Sequence, residues 1–136
     1  DLSVLYGRYE SGSLNLIPLA GTAVYNGVLN YPEILFNVIS FIPFGMYMEM
    51  LFRKASWFTN LGIILLVSLV FEVWQFVFLL GIADITDLLA NGFGGAIGIN
   101  IMYVLTSIWR EKAYSRVNIL CLSATVFVIL ITYLTL

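Results

Sequence analysis

Four stretches of this 136-residue chain are each apolar over about the length that a helix needs to cross a bilayer. They run over residues 32–51, 60–81, 87–109 and 117–136. In hydrocarbon every backbone N–H and C=O must be satisfied within the protein, so such stretches form helices. Composition supports this: 61% of the residues are hydrophobic and 10% charged, where a soluble domain carries about 25% charged residues. The sequence therefore predicts an all-α integral membrane protein, a four-helix transmembrane bundle, with residues 1–136 as a single domain.

The loops set its orientation. Arg53 and Lys54 separate the first two spans, and Arg110, Lys112 and Arg116 separate the last two. Residues 82–86, between the second and third spans, contain no Lys or Arg. The positive-inside rule puts those five basic residues on the cytoplasmic side and both ends of the chain outside. Residues 1–31 are then external, with Arg8 as their basic residue. From Ser11 to Tyr31 there is no charge, but Gly12, Asn15, Pro18, Gly21, Asn26, Gly27 and Asn30 interrupt the stretch. A re-entrant or interfacial segment over the outer end of the bundle fits this pattern, and a tilted, poorly formed helix is the alternative. The chain opens at Asp1 and reads as a piece whose natural start lies upstream.

Several functions drop out. There is no histidine, which removes the commonest general base and metal ligand. Cys121 is alone, so no internal disulfide forms. A net charge of −2 without a basic patch argues against nucleic acid.

What remains is polar chemistry inside apolar spans. A carboxylate in hydrocarbon normally persists only when paired, hydrated or used. Glu72 and Gln75 lie in the outer half of the second span, three residues apart, with Glu72 roughly 13 Å below the helix end at Gly81. Glu33, Asn37 and Ser40 lie in the outer half of the first span; Asp84 and Asp87 open the third, with Asn91 one turn deeper. Six of the eight acidic residues fall toward this side. The functional reading is an acidic, amide-lined cavity open to the outer leaflet. Glu72 and Asp87 are its catalytic candidates, and Arg8, Asn15, Asn37, Gln75, Asp84 and Asn91 its binding residues. The competing reading is structural. Glu72 is protonated or paired with Arg8, the amides bond neighbouring helices, and the aspartates cap the third span.

Gly94 and Gly98 make a G-x-x-x-G pattern expected to pack the third span closely within the bundle, with homodimerisation as the lesser reading. Pro43 should kink the first span and free a carbonyl. Trp57, Trp74 and Trp109 read as lipid-facing or interfacial.

In order along the chain, Asn37-x-x-x-Phe41-x-Pro43-x-Gly45, Glu72-x-x-Gln75 and Asp84-x-x-Asp87-x-x-x-Asn91-x-x-Gly94 resemble the VanZ-like family of bacterial membrane proteins. Asn15-Leu16-Ile17-Pro18, with Arg8 upstream, is similar to another element of that family. The resemblance covers about residues 8–103. It departs at Gly81-Ile82-Ala83, where many members carry an arginine, so an anion-binding role would fall on Arg8 alone. Members also usually have a span before the Arg8 region. The resemblance implies a role in the bacterial cell envelope, at the extracytoplasmic face of a multi-pass plasma-membrane protein. The family's namesake is associated with low-level resistance to the glycopeptide teicoplanin. No reaction is implied.

Three functions compete. One is a non-enzymatic resistance factor whose cavity binds an amphipathic ligand: a membrane lipid, a lipid-linked precursor or a lipoglycopeptide. The second is a membrane enzyme on a lipid-phosphate or lipid-linked substrate, with Glu72 as general acid/base and Mg²⁺ at Asp84 and Asp87 recruiting a phosphate. The third is a structural subunit of a membrane complex, or a helix-mediated oligomer. The sequence names no resident cofactor or metal.

Overall fold

The computed structural model describes residues 14–19, 24–25, 28–29, 31–79 and 83–135; for 24–25, 28–29, 124–125 and 127–135 it describes backbone only. Arg8, and with it any pairing of Arg8 with Glu72, lies outside the described residues. The chain divides into two compact units, Asp1–Asn100 and Ile101–Leu136.

In the first unit the described parts of the N-terminal segment are strands and a turn. Strand β1 is Leu14–Asn15, and β2 (Val24–Tyr25) pairs antiparallel with β3 (Val28–Leu29). Helix α1 spans Tyr31–Leu51 and runs through the exposed Pro43 without a break in its helical course.

Helix α2 spans Trp57–Val77. It starts three residues before the expected Asn60 because Ser56 caps it, its side chain accepting from the Thr59 N–H at 3.1 Å. It ends at Val77, four residues before the expected Gly81, and Phe78 caps it, its N–H reaching the Trp74 carbonyl at 3.0 Å. Leu79 then takes φ 54°, a left-handed conformation that turns the chain away. Glu72 is thus about 8 Å from the end of its helix rather than 13 Å. Hydropathy does not see caps, which is why these boundaries shifted.

Strand β4 (Ala83–Asp84) follows and pairs in parallel with β1, in the register Leu14↔Ala83 and Asn15↔Asp84. Helix α3, Ile85–Trp109, begins at once. Its glycines decide the packing. A Cβ on Gly94 or Gly98 would overlap the backbone carbonyls of Val38 or Ile42 on α1, and one on Gly45 would overlap the Gly95 carbonyl. The expected close packing therefore occurs within the chain, against α1. On its other side α3 meets α2 through Gly92 beside Leu65 and Gly95 beside Ile64. The matched positions run in opposite directions, so α2 and α3 are antiparallel while α1 and α3 are parallel. Met48, Ile64 and Ile99 form the apolar core of this unit, with Phe41 and Phe44 packed on it.

The second unit holds the end of α3, a 3₁₀ turn at Arg110–Lys112 and helix α4, Ala113–Thr135. Arg116 sits 5.0 Å from the Trp109 ring centre, a cation–π contact suited to an interface.

The protein is mostly helical, and three stretches are long and apolar enough to cross a membrane: Tyr31–Leu51, Trp57–Val77 and Ile85–Ser123. The third passes from α3 through the 3₁₀ turn into α4, where the sequence suggested two separate spans.

Candidate functional site

The buried face of α2 is the place to begin. Its four buried residues are Asn60, Ile64, Ser68 and Glu72, one every fourth position, and three of them are polar. Large side chains such as Val70, Phe71, Val73 and Trp74 point outward instead. Lipid tails are as apolar as leucine, so such helices gain little by hiding leucine and gain hydrogen bonds by turning polar groups inward.

The site assembles where α2 ends and α3 begins. Asp84 precedes α3 and caps it, its Oδ1 accepting from the Thr86 N–H at 2.8 Å. The other oxygen, Oδ2, accepts from Asn15 Nδ2 at 3.0 Å, a contact that the β1–β4 register brings about. Asn15 Oδ1 accepts from the Ile17 N–H at 3.1 Å, which bends the chain into a turn over the end of α3. The Leu19 N–H then donates to Thr86 Oγ1 at 3.0 Å. Glu72 reaches up from α2, its Oε2 accepting from the Asp84 N–H at 3.0 Å. Non-helical backbone is tolerated at the edge of a membrane when protein satisfies it, and these bonds do so.

One turn into α3 the network splits. Asn37 Nδ2, from α1, donates to Asp87 Oδ1. Asn91 Nδ2 donates to Ser68 Oγ on α2 at 2.9 Å, while Asn91 Oδ1 is buried without a partner. Glu72, Glu33 and Asp84 all lie close enough for their charges to act on Asp87.

Glu72 and Asp84 also border a crevice of about 60 Å³ with apolar walls from Leu14, Leu16, Leu69, Ile85 and Leu88. Leu69 continues into a groove of about 320 Å³ along the C-terminal half of α2, walled by Val70, Val73, Trp74, Val77 and Phe78. Among the described residues no three His, Cys, Asp or Glu side chains are grouped to hold a metal ion.

Of the residues singled out from sequence, Asn15, Asp84 and Glu72 are bonded into one network, while Asn37 with Asp87 and Asn91 with Ser68 form two separate bonded pairs. Gln75 is exposed and makes none of these bonds, because the buried stripe of α2 recurs every fourth residue and not every third. Asp84 takes the capping role; Asp87 spends its bond on α1 instead. Ser68 and Thr86 went unnoticed. Ser68 stands four residues before Glu72 in an otherwise apolar run, a spacing that would have found it.

The family model described as VanZ/LLP1 matches residues 3–110. Protein VanZ of Enterococcus faecium is 34% identical over 128 residues, which cover 94% of this chain and 75% of that protein. No solved structure matches the chain.

Proposed function

This chain belongs to the VanZ/LLP1 family, and on that premise we propose that it is a bacterial cell-envelope protein that binds an amphipathic ligand and so gives teicoplanin-type glycopeptide resistance. The ligand is a membrane lipid, a lipid-linked wall precursor or a lipoglycopeptide. In this reading the helices make four passes of the plasma membrane, the loops with Arg53, Lys54, Arg110, Lys112 and Arg116 are cytoplasmic, and the junction of α2 and α3 faces outward.

The observation that carries it is Glu72. It is 7% exposed in a membrane-spanning helix, and only one of its oxygens is spent on the Asp84 N–H. Beside it is a crevice with carboxylates at one side, and Leu69 lines both that crevice and an all-apolar groove along α2. A polar head and an apolar tail match that sequence of surfaces. A purely structural glutamate needs no such crevice.

The test is expression in a glycopeptide-susceptible bacterium. The chain raises the inhibitory concentration of teicoplanin, and Glu72→Gln returns it to the level of the empty host at equal membrane abundance. Full protection by Glu72→Gln and Asp87→Asn alike would end this reading. Impermeant labelling of single cysteines, in a Cys121→Ser background, checks the orientation: a cysteine at Lys54 stays unlabelled in intact cells, and one at Ala83 is labelled.

A further inference from the structure

The glycines of α3 are used inside the chain: Gly94 and Gly98 press on α1, and Gly92 and Gly95 on α2. The other side of the helix is bare. Leu89 is 52% and Phe93 63% exposed, Asn100 is exposed, and Ala96 between them is part-buried. At roughly 100° per residue Asn100 points about 160° away from Gly98 and about 140° away from Gly95. Leu89, Phe93, Ala96 and Asn100 follow one another at intervals of four, three and four residues. That is the spacing of a coiled-coil seam, with Phe93 and Asn100 at equivalent positions one heptad apart.

Asn100 is a costly residue for such a place. It lies about 23 Å after the start of α3 at Ile85 and about 14 Å before its end at Trp109, inside a stretch long and apolar enough to cross a membrane. Its Nδ2 donates to the Ala96 carbonyl at 2.8 Å. That leaves one N–H and the amide oxygen toward lipid tails, which can bond to neither. Leucine would suit lipid better.

A second copy of the chain meets this need. All copies enter the membrane in one orientation, so a two-fold axis relating two of them runs along the membrane normal, and residues at one depth meet their own equivalents. A residue near that axis needs chemistry that complements itself. Two carboxylates or two ammonium groups would repel each other. A carboxamide carries donor and acceptor together, and two of them can exchange a pair of hydrogen bonds. The small side chain of Ala96, beside Phe93 and Asn100 on the seam, lets two such helices close.

We propose that the chain forms a parallel homodimer through the face of α3 that carries Leu89, Phe93, Ala96 and Asn100, with the two Asn100 amides bonded to each other. A lone asparagine on a seam of this spacing fixes register and the number of helices. Gly94 and Gly98 stay with α1, so the dimer uses the side of α3 away from the G-x-x-x-G pattern.

The full chain, tagged with a donor or an acceptor fluorophore at its N-terminus, is reconstituted in phosphatidylcholine vesicles over a range of protein-to-lipid ratios, and energy transfer reads the dimer fraction. We expect a saturable dimer. Asn100→Leu raises its dissociation constant roughly tenfold. Asn100→Gln, which keeps the amide, retains the affinity, as does Leu66→Ala on the exposed side of α2. Oxidative cross-linking of single cysteines in a Cys121→Ser background maps the face: a cysteine at Leu89 or Ala96 gives a covalent dimer and one at Leu66 does not. If the Ala96 variant does not fold, Leu89, exposed on the same seam, carries the mapping. A chain that stays monomeric at every ratio leaves Asn100 to lipid or to another protein and overturns the inference. So does a dimer that Asn100→Leu leaves intact, an Asn100→Gln variant as weak as Asn100→Leu, or cross-linking at Leu66 in place of the seam.

Discussion

The two ends of α2 bury the same kind of group in different ways. At the N-terminal end Asn60, fully buried, donates to Glu49 Oε2 at 2.9 Å, a bond that ties α1 to α2. At the C-terminal end Glu72 holds the Asp84 backbone, Asp84 holds Asn15 and Thr86, and Asp87 and Asn91 reach to α1 and α2. Between them lies the apolar layer of Met48, Ile64 and Ile99. An amide bonded to a carboxylate is enough to set the register of two helices in lipid. The C-terminal end has far more than that task requires, and it borders a crevice. The difference separates a polar group that positions helices from a set that also has a surface to offer.

The comparison depends on a shared frame, and the largest expected effect is to break that frame. Gly98→Val sets a side chain against the Ile42 carbonyl, and backbone cannot yield as a flexible side chain does. We expect α1 and α3 to part, a stability loss of about 3 kcal/mol or more, and failure at both ends of α2 together. Gly62→Ala is the control, since nothing lies within 4 Å of its added Cβ. It should be neutral or stabilise by about 0.5–1 kcal/mol, as helix propensity dictates. Thermal melting in detergent measures both.

Next in size is the contrast between the two glutamates. Glu72→Gln and Glu49→Gln each keep an acceptor for the bond that the glutamate now makes. If the comparison holds, Glu72→Gln abolishes teicoplanin protection with its melting temperature close to the parent, and Glu49→Gln protects as well as the parent. Equal loss in both would reduce the C-terminal cluster to scaffolding. Asp87→Asn sharpens the same line. It keeps an acceptor for Asn37 and loses the charge. Protection should fall while stability changes by about 1 kcal/mol or less.

How much of this was legible beforehand follows from the range of each signal. The helices were legible because their apolar runs are long, and Glu72, Asp87 and Asn91 because a polar group in such a run stands out. The close approach of α3 to α1 was legible in Gly94 and Gly98, although Gly45, which meets Gly95, stood out only as a residue of the family motif and not as a packing site. The link from Asn15 to Asp84 spans 69 residues and rests on strands of two residues each, too short for any periodicity to announce. The ends of α2 were missed because Ser56 and Leu79 act through caps and backbone angle, not hydropathy. Gln75 was included on a three-residue spacing that this helix does not use.

The smallest expected effect concerns Asp84, where the cluster passes from holding the fold to offering a surface. Both of its oxygens accept: Oδ1 from the Thr86 N–H and Oδ2 from Asn15 Nδ2. Asparagine supplies only one acceptor. If its oxygen keeps the cap, its NH₂ faces the NH₂ of Asn15, and Asn15 cannot turn over because Ile17 N–H holds its oxygen. Of the bonds described, one is lost, but Asn15 Nδ2 also lies 3.3 Å from the Ile17 carbonyl and is not left bare. The cost of Asp84→Asn should therefore be about 1 kcal/mol, and Asp84→Ala, which forfeits the cap as well, should cost about twice that. Protection should survive Asp84→Asn, since the carboxylate's part is to hold the junction that places Glu72 and Asp87. Loss of protection in Asp84→Asn at near-parent stability would move Asp84 from the frame into the site, and the line between the two ends of α2 would have to be redrawn around three carboxylates.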